Sequence, residues 1–154
     1  MMDTPEIVQT TAQPTAVIRL VVPRDQIRDV MGASRRELMD AVAAQGAVPA
    51  GPWFTHHFKA PGETFDFEIG VPVKTPIAPA GRVHPSELPA SRVARTVYRG
   101  PYDGLGSAWS EFTSWIGAQG QTPAQDLWEV YVAGPESGPD PATWRTELNR
   151  PLSR

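Results

Sequence analysis

The chain has 154 residues, a length that suits one domain or two very small ones. Hydrophobic residues make up 40% and charged residues 20%, which excludes a collagen-like chain and a long disordered tail. The 17 prolines favour turns and edge strands over a helical bundle, and a net charge of −3 disfavours sequence-independent binding of nucleic acid.

The absence of cysteine excludes disulfides, zinc ribbons, iron–sulfur clusters and thiol nucleophiles. The N-terminus has neither the basic nor the apolar region of a signal peptide. No apolar run reaches the roughly 20 residues that a membrane span needs. We therefore expect a single cytoplasmic domain over residues 1–154, with no membrane contact.

The first half of the chain predicts the order strand, helix, strand, strand. Residues 15–22 are apolar and β-branched, which is typical of a strand. Between residues 25 and 45, apolar side chains recur every three or four positions, which predicts an amphipathic helix that Gly46 closes. Two further strands are predicted at 53–58 and 64–71, around a turn at Ala60-Pro61-Gly62.

The second half predicts the same order of elements. A strand at 92–99 is followed by a helix from an N-cap at Asp103 to Gln119, with its aromatic residues on one side. The remaining strands are predicted at 126–132 and 143–152, with a loop at 134–141 between them. Residues 74–91 are predicted as the linker between the halves, and residues 1–4 as frayed.

Four landmarks of the first half return in the same order in the second. For example, Gln45-Gly46 and Pro49 return as Gln119-Gly120 and Pro123. The half-repeats span about 5–73 and 92–152, and neither would bury enough apolar surface alone. We therefore predict an α+β fold of duplicated βαββ units related by a pseudo-twofold axis. It would have antiparallel sheets, two main helices and a central ligand cleft.

Strand parity gives the candidate cleft residues. Leu127, Glu129 and Tyr131 share one face of a strand, because side chains alternate. The corresponding first-half positions are Trp53, Thr55 and His57. In the cleft, Glu129 would pair with a cationic ligand, or would do acid/base work with a pKa that desolvation raises. The alternative is that Glu129 faces solvent and Trp128 enters the core.

For several other candidate residues, the sequence leaves two environments open. Tyr98 is either packed or part of the cleft wall, and helical spacing favours Trp109 as a core residue with the wall as its alternative. Glu147 either reaches the cleft or satisfies backbone donors, as does its counterpart Glu68. His56 and His57 point to opposite faces, so they cannot hold one metal ion, and we expect no metal site and no cofactor.

Several segments resemble the GyrI-like family, also known as the AraC effector-binding type. The resemblance runs from about residue 5 to 152. The segments are Phe67-Glu-Ile-Gly-Val-Pro-Val73, Arg99-Gly-Pro-Tyr-Asp-Gly-Leu105, Trp128-Glu-Val-Tyr-Val-Ala-Gly-Pro135 and Trp144-Arg-Thr-Glu-Leu-Asn-Arg-Pro-Leu152. This resemblance implies two βαββ units with a ligand between them, and it maps the family's Glu-x-Tyr glutamate onto Glu129.

The resemblance also implies what that glutamate does. In multidrug-sensing relatives it faces cationic, lipophilic, aromatic ligands, whereas some standalone relatives hydrolyse electrophilic cyclopropane compounds and others are linked to gyrase inhibition. Family regulators carry an added helix-turn-helix segment, for which this chain has no room before its first strand. We therefore expect a standalone domain that does not regulate transcription alone.

Two functional hypotheses follow. In the first, the cleft binds or sequesters a lipophilic aromatic compound, cationic where Glu129 supplies the counter-charge. Its ligand-binding residues would be Glu129, Tyr131, Trp53, Thr55, His57, Tyr98, Trp109 and Glu147. In the second, the protein is a hydrolase in which Glu129 activates water and a donor such as Tyr131 or Tyr98 stabilises the developing charge. A protein partner such as gyrase is a third option that the mild net charge supports weakly.

Overall fold

The computed structural model describes residues 2–59, 62–135 and 137–153. The two α-helices are α1 (Ile27–Ala44) and α2 (Leu105–Ala118), and 3₁₀ turns occur at Arg24–Gln26, Tyr102–Gly104 and Pro141–Thr143. The strands are β1 (Glu6–Gln9), β2 (Gln13–Pro23), β3 (Phe54–His57), β4 (Thr64–Pro72), β5 (His84–Leu88), β6 (Arg92–Arg99), β7 (Thr122–Pro123), β8 (Leu127–Ala133) and β9 (Arg145–Ser153).

The strands form an open, antiparallel sheet in the order β1-β6-β9-β8-β3-β4-β2-β5, and the short strand β7 pairs with β9. Strands β3 and β8 therefore lie side by side at the centre. Outward from this pair, the order is β4 then β2 on one side and β9 then β6 on the other. The predicted α+β class, with a mostly antiparallel sheet and two main helices, is confirmed.

Both helices cover the same side of the sheet. Directly paired residues face the same way, and Thr55 pairs with Ile69 on β4 and with Glu129 on β8, which in turn pairs with Leu148 on β9. Ile69 belongs to the apolar cluster under α1, and Leu148 belongs to the cluster under α2. The face that carries Glu129 is thus the side of both helices, which we call the helix side.

The two helices end in the same way. Gly46 and Gly120 have φ angles of 68° and 72°, in the left-handed region that glycine adopts without strain. The next residue in each case returns a hydrogen bond to the helix, from Ala47 N to Val42 O and from Gln121 N to Ile116 O. These bonds satisfy carbonyls that a helix end leaves unpaired, and the glycine termini predicted from the sequence are confirmed.

The predicted N-cap at Asp103 is wrong. Helix α2 begins at Leu105, and Gly104 occupies the N-cap position without a side-chain hydrogen bond to the helix. Asp103 lies inside the preceding 3₁₀ turn, so the tighter turn takes up the position from which a side chain would cap α2. The turn predicted at residues 60–62 cannot be compared in full, because Ala60 and Pro61 lie outside the described residues.

Three strands, β1, β5 and the two-residue β7, were not predicted from the sequence. Strand β1 pairs with β6, and Met2 and Asp3 continue this pairing into the segment that was expected to fray. Strand β5 lies within the predicted linker 74–91 and pairs with β2 at the edge of the sheet. These strands are short or carry polar residues, so alternation of apolar and polar side chains does not reveal them.

Candidate functional site

A cavity of about 390 Å³ lies on the helix side, where the starts of α1 and α2 meet the central strands. Ligand pockets commonly have this size. The helices and their preceding turns contribute Arg24, Ile27, Arg28 and Met31 on one side and Tyr102, Leu105, Gly106 and Trp109 on the other. The strands contribute Thr55, His57, Phe65, Phe67 and Glu129.

Glu129 is the buried acid of this cavity. Its side chain lies opposite Thr55 across the β3–β8 pair, and the residue is 9% exposed. Tyr131 OH donates to one carboxylate oxygen at 2.8 Å, and Trp109 Nε1 donates to the other at 2.6 Å. Burial raises the pKa of Glu129 above its usual value, although the hydrogen bonds from Trp109 and Tyr131 oppose this shift.

A hydrogen-bonded chain connects Glu129 to a histidine. Tyr131 OH is 2.7 Å from Thr55 Oγ1, which is 3.2 Å from His57 Nε2. The Tyr131 proton goes to the carboxylate, so the Thr55 hydroxyl donates to Tyr131 and His57 Nε2 donates to Thr55. We assign the Nε2–H tautomer to His57 on this basis. Its Nδ1 is then an acceptor, buried and without a hydrogen-bond partner among the described residues.

Burial keeps His57 and Tyr131 from changing charge easily. Desolvation, with a smaller contribution from the charge of His56, lowers the pKa of His57 to about 4. The imidazole is therefore neutral at physiological pH. Desolvation and the nearby charge of Glu129 raise the pKa of Tyr131 well above its usual value, so the phenol keeps its proton and remains a donor.

An aromatic stack holds the Tyr131 ring in place. Trp53 stacks on Tyr131 with ring centres 4.2 Å apart, and the Arg35 guanidinium lies 5.3 Å from the centre of the Trp53 ring. In the cavity lining itself, His57 stacks on Phe67 with ring centres 5.0 Å apart. The two stacks limit how far the hydroxyl of Tyr131 and the imidazole of His57 can move.

The structure brings together six of the eight residues predicted as ligand contacts. Glu129, Thr55, His57 and Trp109 line the cavity. Tyr131 is hydrogen-bonded to Glu129, and Trp53 stacks on Tyr131. Trp109 was favoured as a core residue, but it is only partly buried and its indole points to the carboxylate.

Tyr98 and Glu147 lie elsewhere. Tyr98 OH donates to the carbonyl oxygen of Pro101 at 2.8 Å, within the apolar cluster under α2. Glu147 pairs with Val130, the neighbour of Glu129, and therefore faces away from the helices. There it lies 3.4 Å from Arg95.

Sequence reasoning missed part of the lining. The alternation of Phe65, Phe67 and Ile69 on β4 is a signal that could have placed Phe65 and Phe67 on the helix side. Ile27 and Met31 belong to the apolar face that predicted α1. By contrast, an arginine on an exposed helix start, such as Arg28, carries no sequence signal that it borders a cavity.

Within the described ranges, no three or more histidine, aspartate or glutamate side chains come close enough to hold a metal ion. Among the same residues, none of the helices combines the length and the apolar character of a membrane span.

The fold is similar to several solved structures that share little sequence with this chain. The C-terminal domain of EcmrR matches with a TM-score of 0.87 and 20% identity over 98% of each chain. EcmrR in its complex with DNA matches with a TM-score of 0.86 and 22% identity, over 98% of this chain and 57% of that one. The present chain thus spans little more than half the length of that protein.

Two other structures match at a TM-score of 0.68. SAV2435 bound to tetraphenylphosphonium is 15% identical over 98% of this chain and 94% of its own. A hydrolase from Listeria innocua is 11% identical over 97% and 91%. At these identities the likeness concerns the fold alone. No curated protein matches the sequence.

A family model supplies the assignment that these structures do not. The model of the GyrI-like small molecule binding domain matches residues 3–153, essentially the whole length of the chain. The protein therefore belongs to the GyrI-like family of small-molecule-binding domains.

Proposed function

We propose that the protein binds a lipophilic aromatic small molecule in the cavity above β3 and β8. The observation that carries this proposal is a buried carboxylate, Glu129, in a cavity whose other walls are largely aromatic and aliphatic. Such walls supply most of the binding free energy by removing apolar surface from water, and a small number of polar groups orient the ligand.

The charge of Glu129 favours a ligand with a cationic group. The carboxylate has no cationic side chain in contact with it among the described residues, and its two hydrogen bonds come from neutral donors. A ligand cation would replace lost hydration, and the rings of Phe65, Phe67 and Trp109 would attract the same charge. The similar fold of SAV2435, which binds tetraphenylphosphonium, is consistent with this ligand class.

Glu129, Thr55, His57 and Trp109 are the proposed contacts. Tyr131 and Trp53 are positioning residues, because one holds the carboxylate and the other holds the Tyr131 ring. Tyr98 and Glu147 are not included, since neither reaches this cavity.

We further infer that the cavity lies at the seam of two copies of one βαββ unit within a single domain. Three features support this inference: the matching strand order on either side of β3–β8, the matching helix ends, and a pair of equivalent bridges. Pro49 pairs with Val73 after α1, as Pro123 pairs with Leu152 after α2. The half-repeats about 5–73 and 92–152 would then be related by a pseudo-twofold axis between the central strands.

Titration of intrinsic tryptophan fluorescence with tetraphenylphosphonium tests the cationic form of the proposal. We expect Trp109 emission to change on binding, because its indole lies in the cavity wall. Glu129→Gln should weaken binding by about tenfold or more, because it removes a desolvated counter-charge. The matched control is Glu147→Gln, on the other side of the sheet, which should bind as the wild type does. Equal affinity of Glu129→Gln and wild type would contradict this form of the proposal.

A hydrolase is the second candidate. The observation in its favour is that the buried Glu129 has a raised pKa and accepts a hydrogen bond from Tyr131, an arrangement suited to proton transfer. The fold is also similar to that of the Listeria innocua hydrolase. In this version Glu129 takes a proton from a water that attacks a strained cyclopropane carbon. The broken C–C bond leaves its electron pair on the carbon next to an electron-withdrawing group. The proton that Glu129 took from the water then passes to that carbanion or enolate, so that one water is added overall.

Mass spectrometry separates the two candidates. If the protein is a hydrolase, an electrophilic cyclopropane compound incubated with it gains the mass of one water, and Glu129→Gln abolishes this conversion. Binding of the compound without conversion would contradict the hydrolase and leave the binding function in place.

A further inference from the structure

Two arginines border the cavity without an acidic partner. Arg24 lies in the 3₁₀ turn before α1 and Arg28 in the first turn of α1, and both side chains are exposed. Both line the cavity, and the Arg24 guanidinium lies 5.9 Å from the centre of the Phe65 ring. Within the described part of the chain, neither arginine forms an ion pair. Their charge is therefore available to a ligand.

The charges of the lining are separated along the cavity. Apart from the phenol of Tyr102, its ionisable groups are Arg24, Arg28, His57 and Glu129. His57 is neutral at physiological pH, so the two arginines face a single carboxylate. Glu129 is buried whereas the arginines are exposed, which places the negative charge at the floor and the positive charges at the mouth. A ligand with only a cationic group would be attracted by the floor and repelled by the mouth.

The helix starts strengthen the positive mouth. Ile27 and Leu105, the first residues of α1 and α2, both line the cavity. Their backbone N–H groups bond to Arg24 O and Tyr102 O in the preceding 3₁₀ turns. The N-terminal end of a helix is nevertheless the positive end of its dipole. The acidic neighbours of the arginines, Asp25 and Asp29, do not line this cavity. The cavity is therefore bordered by the arginines at the start of α1 but not by the carboxylates beside them.

We propose that the natural ligand is amphoteric: a lipophilic aromatic compound with a cationic or hydrogen-bond-donating group at the Glu129 end and an anionic group, such as a carboxylate or sulfonate, at Arg24 and Arg28. This inference rests on the proposed binding function and specifies its ligand class. The unpartnered Nδ1 of His57 is a second acceptor in the cavity wall, which fits a donor group at the floor. Arg24 and Arg28 are then specificity-determining residues, since they select the anionic end.

A matched pair of dyes tests the inference. Rhodamine 110 carries a cationic xanthene and a free carboxylate, and rhodamine 123 is its methyl ester, which lacks the negative charge. Fluorescence anisotropy should show that the wild type binds rhodamine 110 about tenfold or more tightly than rhodamine 123. The preference should shrink as salt is added, because the mouth is exposed to solvent.

Substitutions at the mouth test whether Arg24 and Arg28 cause the preference for rhodamine 110. The double variant Arg24→Gln/Arg28→Gln should bind the two dyes with similar affinity, because it removes the charges that select the carboxylate. Both side chains are exposed, so the fold should be retained, which circular dichroism would verify. The matched control is Arg36→Gln, an exposed arginine of α1 that does not line the cavity and should keep the preference.

The outcomes separate this inference from the proposed function. If the wild type binds both dyes equally, or if the double variant keeps the preference for rhodamine 110, the amphoteric ligand is wrong and the binding function stands. If the wild type binds neither dye, the binding function fails and the inference fails with it.

Discussion

Two adjacent histidines at the centre of the sheet have opposite surroundings. His56 faces away from the helices, and its Nε2 lies 2.9 Å from the carboxylate of Asp126. His57 faces the helices and stacks on Phe67, and among the described residues its one hydrogen-bond partner is the hydroxyl of Thr55. One step along a strand thus moves an imidazole from an ion-pairing environment into one that lowers its pKa to about 4.

The same contrast extends along the two sides of the sheet. On the side away from the helices, several buried and half-buried ionisable groups have polar partners. For example, Arg95 donates to Asn149 at 2.7 Å and lies 3.4 Å from Glu147. On the helix side, Glu129 is hydrogen-bonded but has no cation among the described residues. Charges that are already paired have their partners within the fold, whereas a buried charge without a counter-charge is available to a ligand.

The pH dependence of stability gives the largest expected effect. The pKa of His57 is about 4 in the folded protein and about 6.5 when unfolded, so its contribution is fully present above pH 6.5 and is lost as pH falls towards 4. A shift of this size corresponds to about 3 kcal/mol in the free energy of unfolding. Urea denaturation across this range should show that the wild type loses about this much more free energy of unfolding than His57→Gln.

The neighbouring histidine provides the control. His56→Gln should retain most of the loss, because burial, the main cause of the shift, is unchanged at His57. Glu129 acts in the opposite direction, since its raised pKa makes the folded state bind a proton as pH falls. It is present in every variant, so it cancels when the profiles are subtracted. Parallel profiles for wild type and His57→Gln would contradict the contrast between the two sides.

The second largest expected effect on stability comes from close packing on the side of the sheet away from the helices. A Cβ at Gly70 would lie 2.5 Å from Cζ of Phe54 and 2.9 Å from Cγ1 of Val17. We expect Gly70→Ala to lower the free energy of unfolding by about 1–3 kcal/mol, because the Phe54 ring must move. Gly32→Ala, in open space on α1, should instead raise it by about 0.5–1 kcal/mol. If Gly70→Ala left the free energy of unfolding unchanged, this side of the sheet would be shown to tolerate rearrangement.

The smallest effect concerns the hydrogen bond to Glu129. Tyr131→Phe removes the donor at 2.8 Å and should lower the free energy of unfolding by about 1 kcal/mol. It should also raise the pKa of Glu129 further, which ¹³C NMR titration of that carboxylate would detect. Tyr98→Phe removes the hydroxyl of a similarly buried tyrosine that bonds to Pro101. It should destabilise the protein to a similar extent without moving the pKa of Glu129.

The helices and the longer strands could be predicted from the sequence because their patterns are local. Strand β6 has the predicted bounds, and α1 begins within two residues of the prediction once its 3₁₀ turn is excluded. Strands β1, β5 and β7 form through pairing with distant segments, and nothing in their own residues indicates it. Asp103 was misassigned because a 3₁₀ turn and an α-helix start look alike in sequence.

The sequence by itself determined which residues share a face and where the helices stop. Side chains in a strand alternate with a period of two, so Glu129 and Tyr131 had to lie together, and Gly46 and Gly120 marked the helix ends. Only the tertiary structure decided which face the helices cover, and it placed Arg24 and Arg28 beside the cavity and Glu147 away from it. The physical reason is that alternation is a property of one strand, whereas burial and electrostatic environment depend on segments that are distant in the chain.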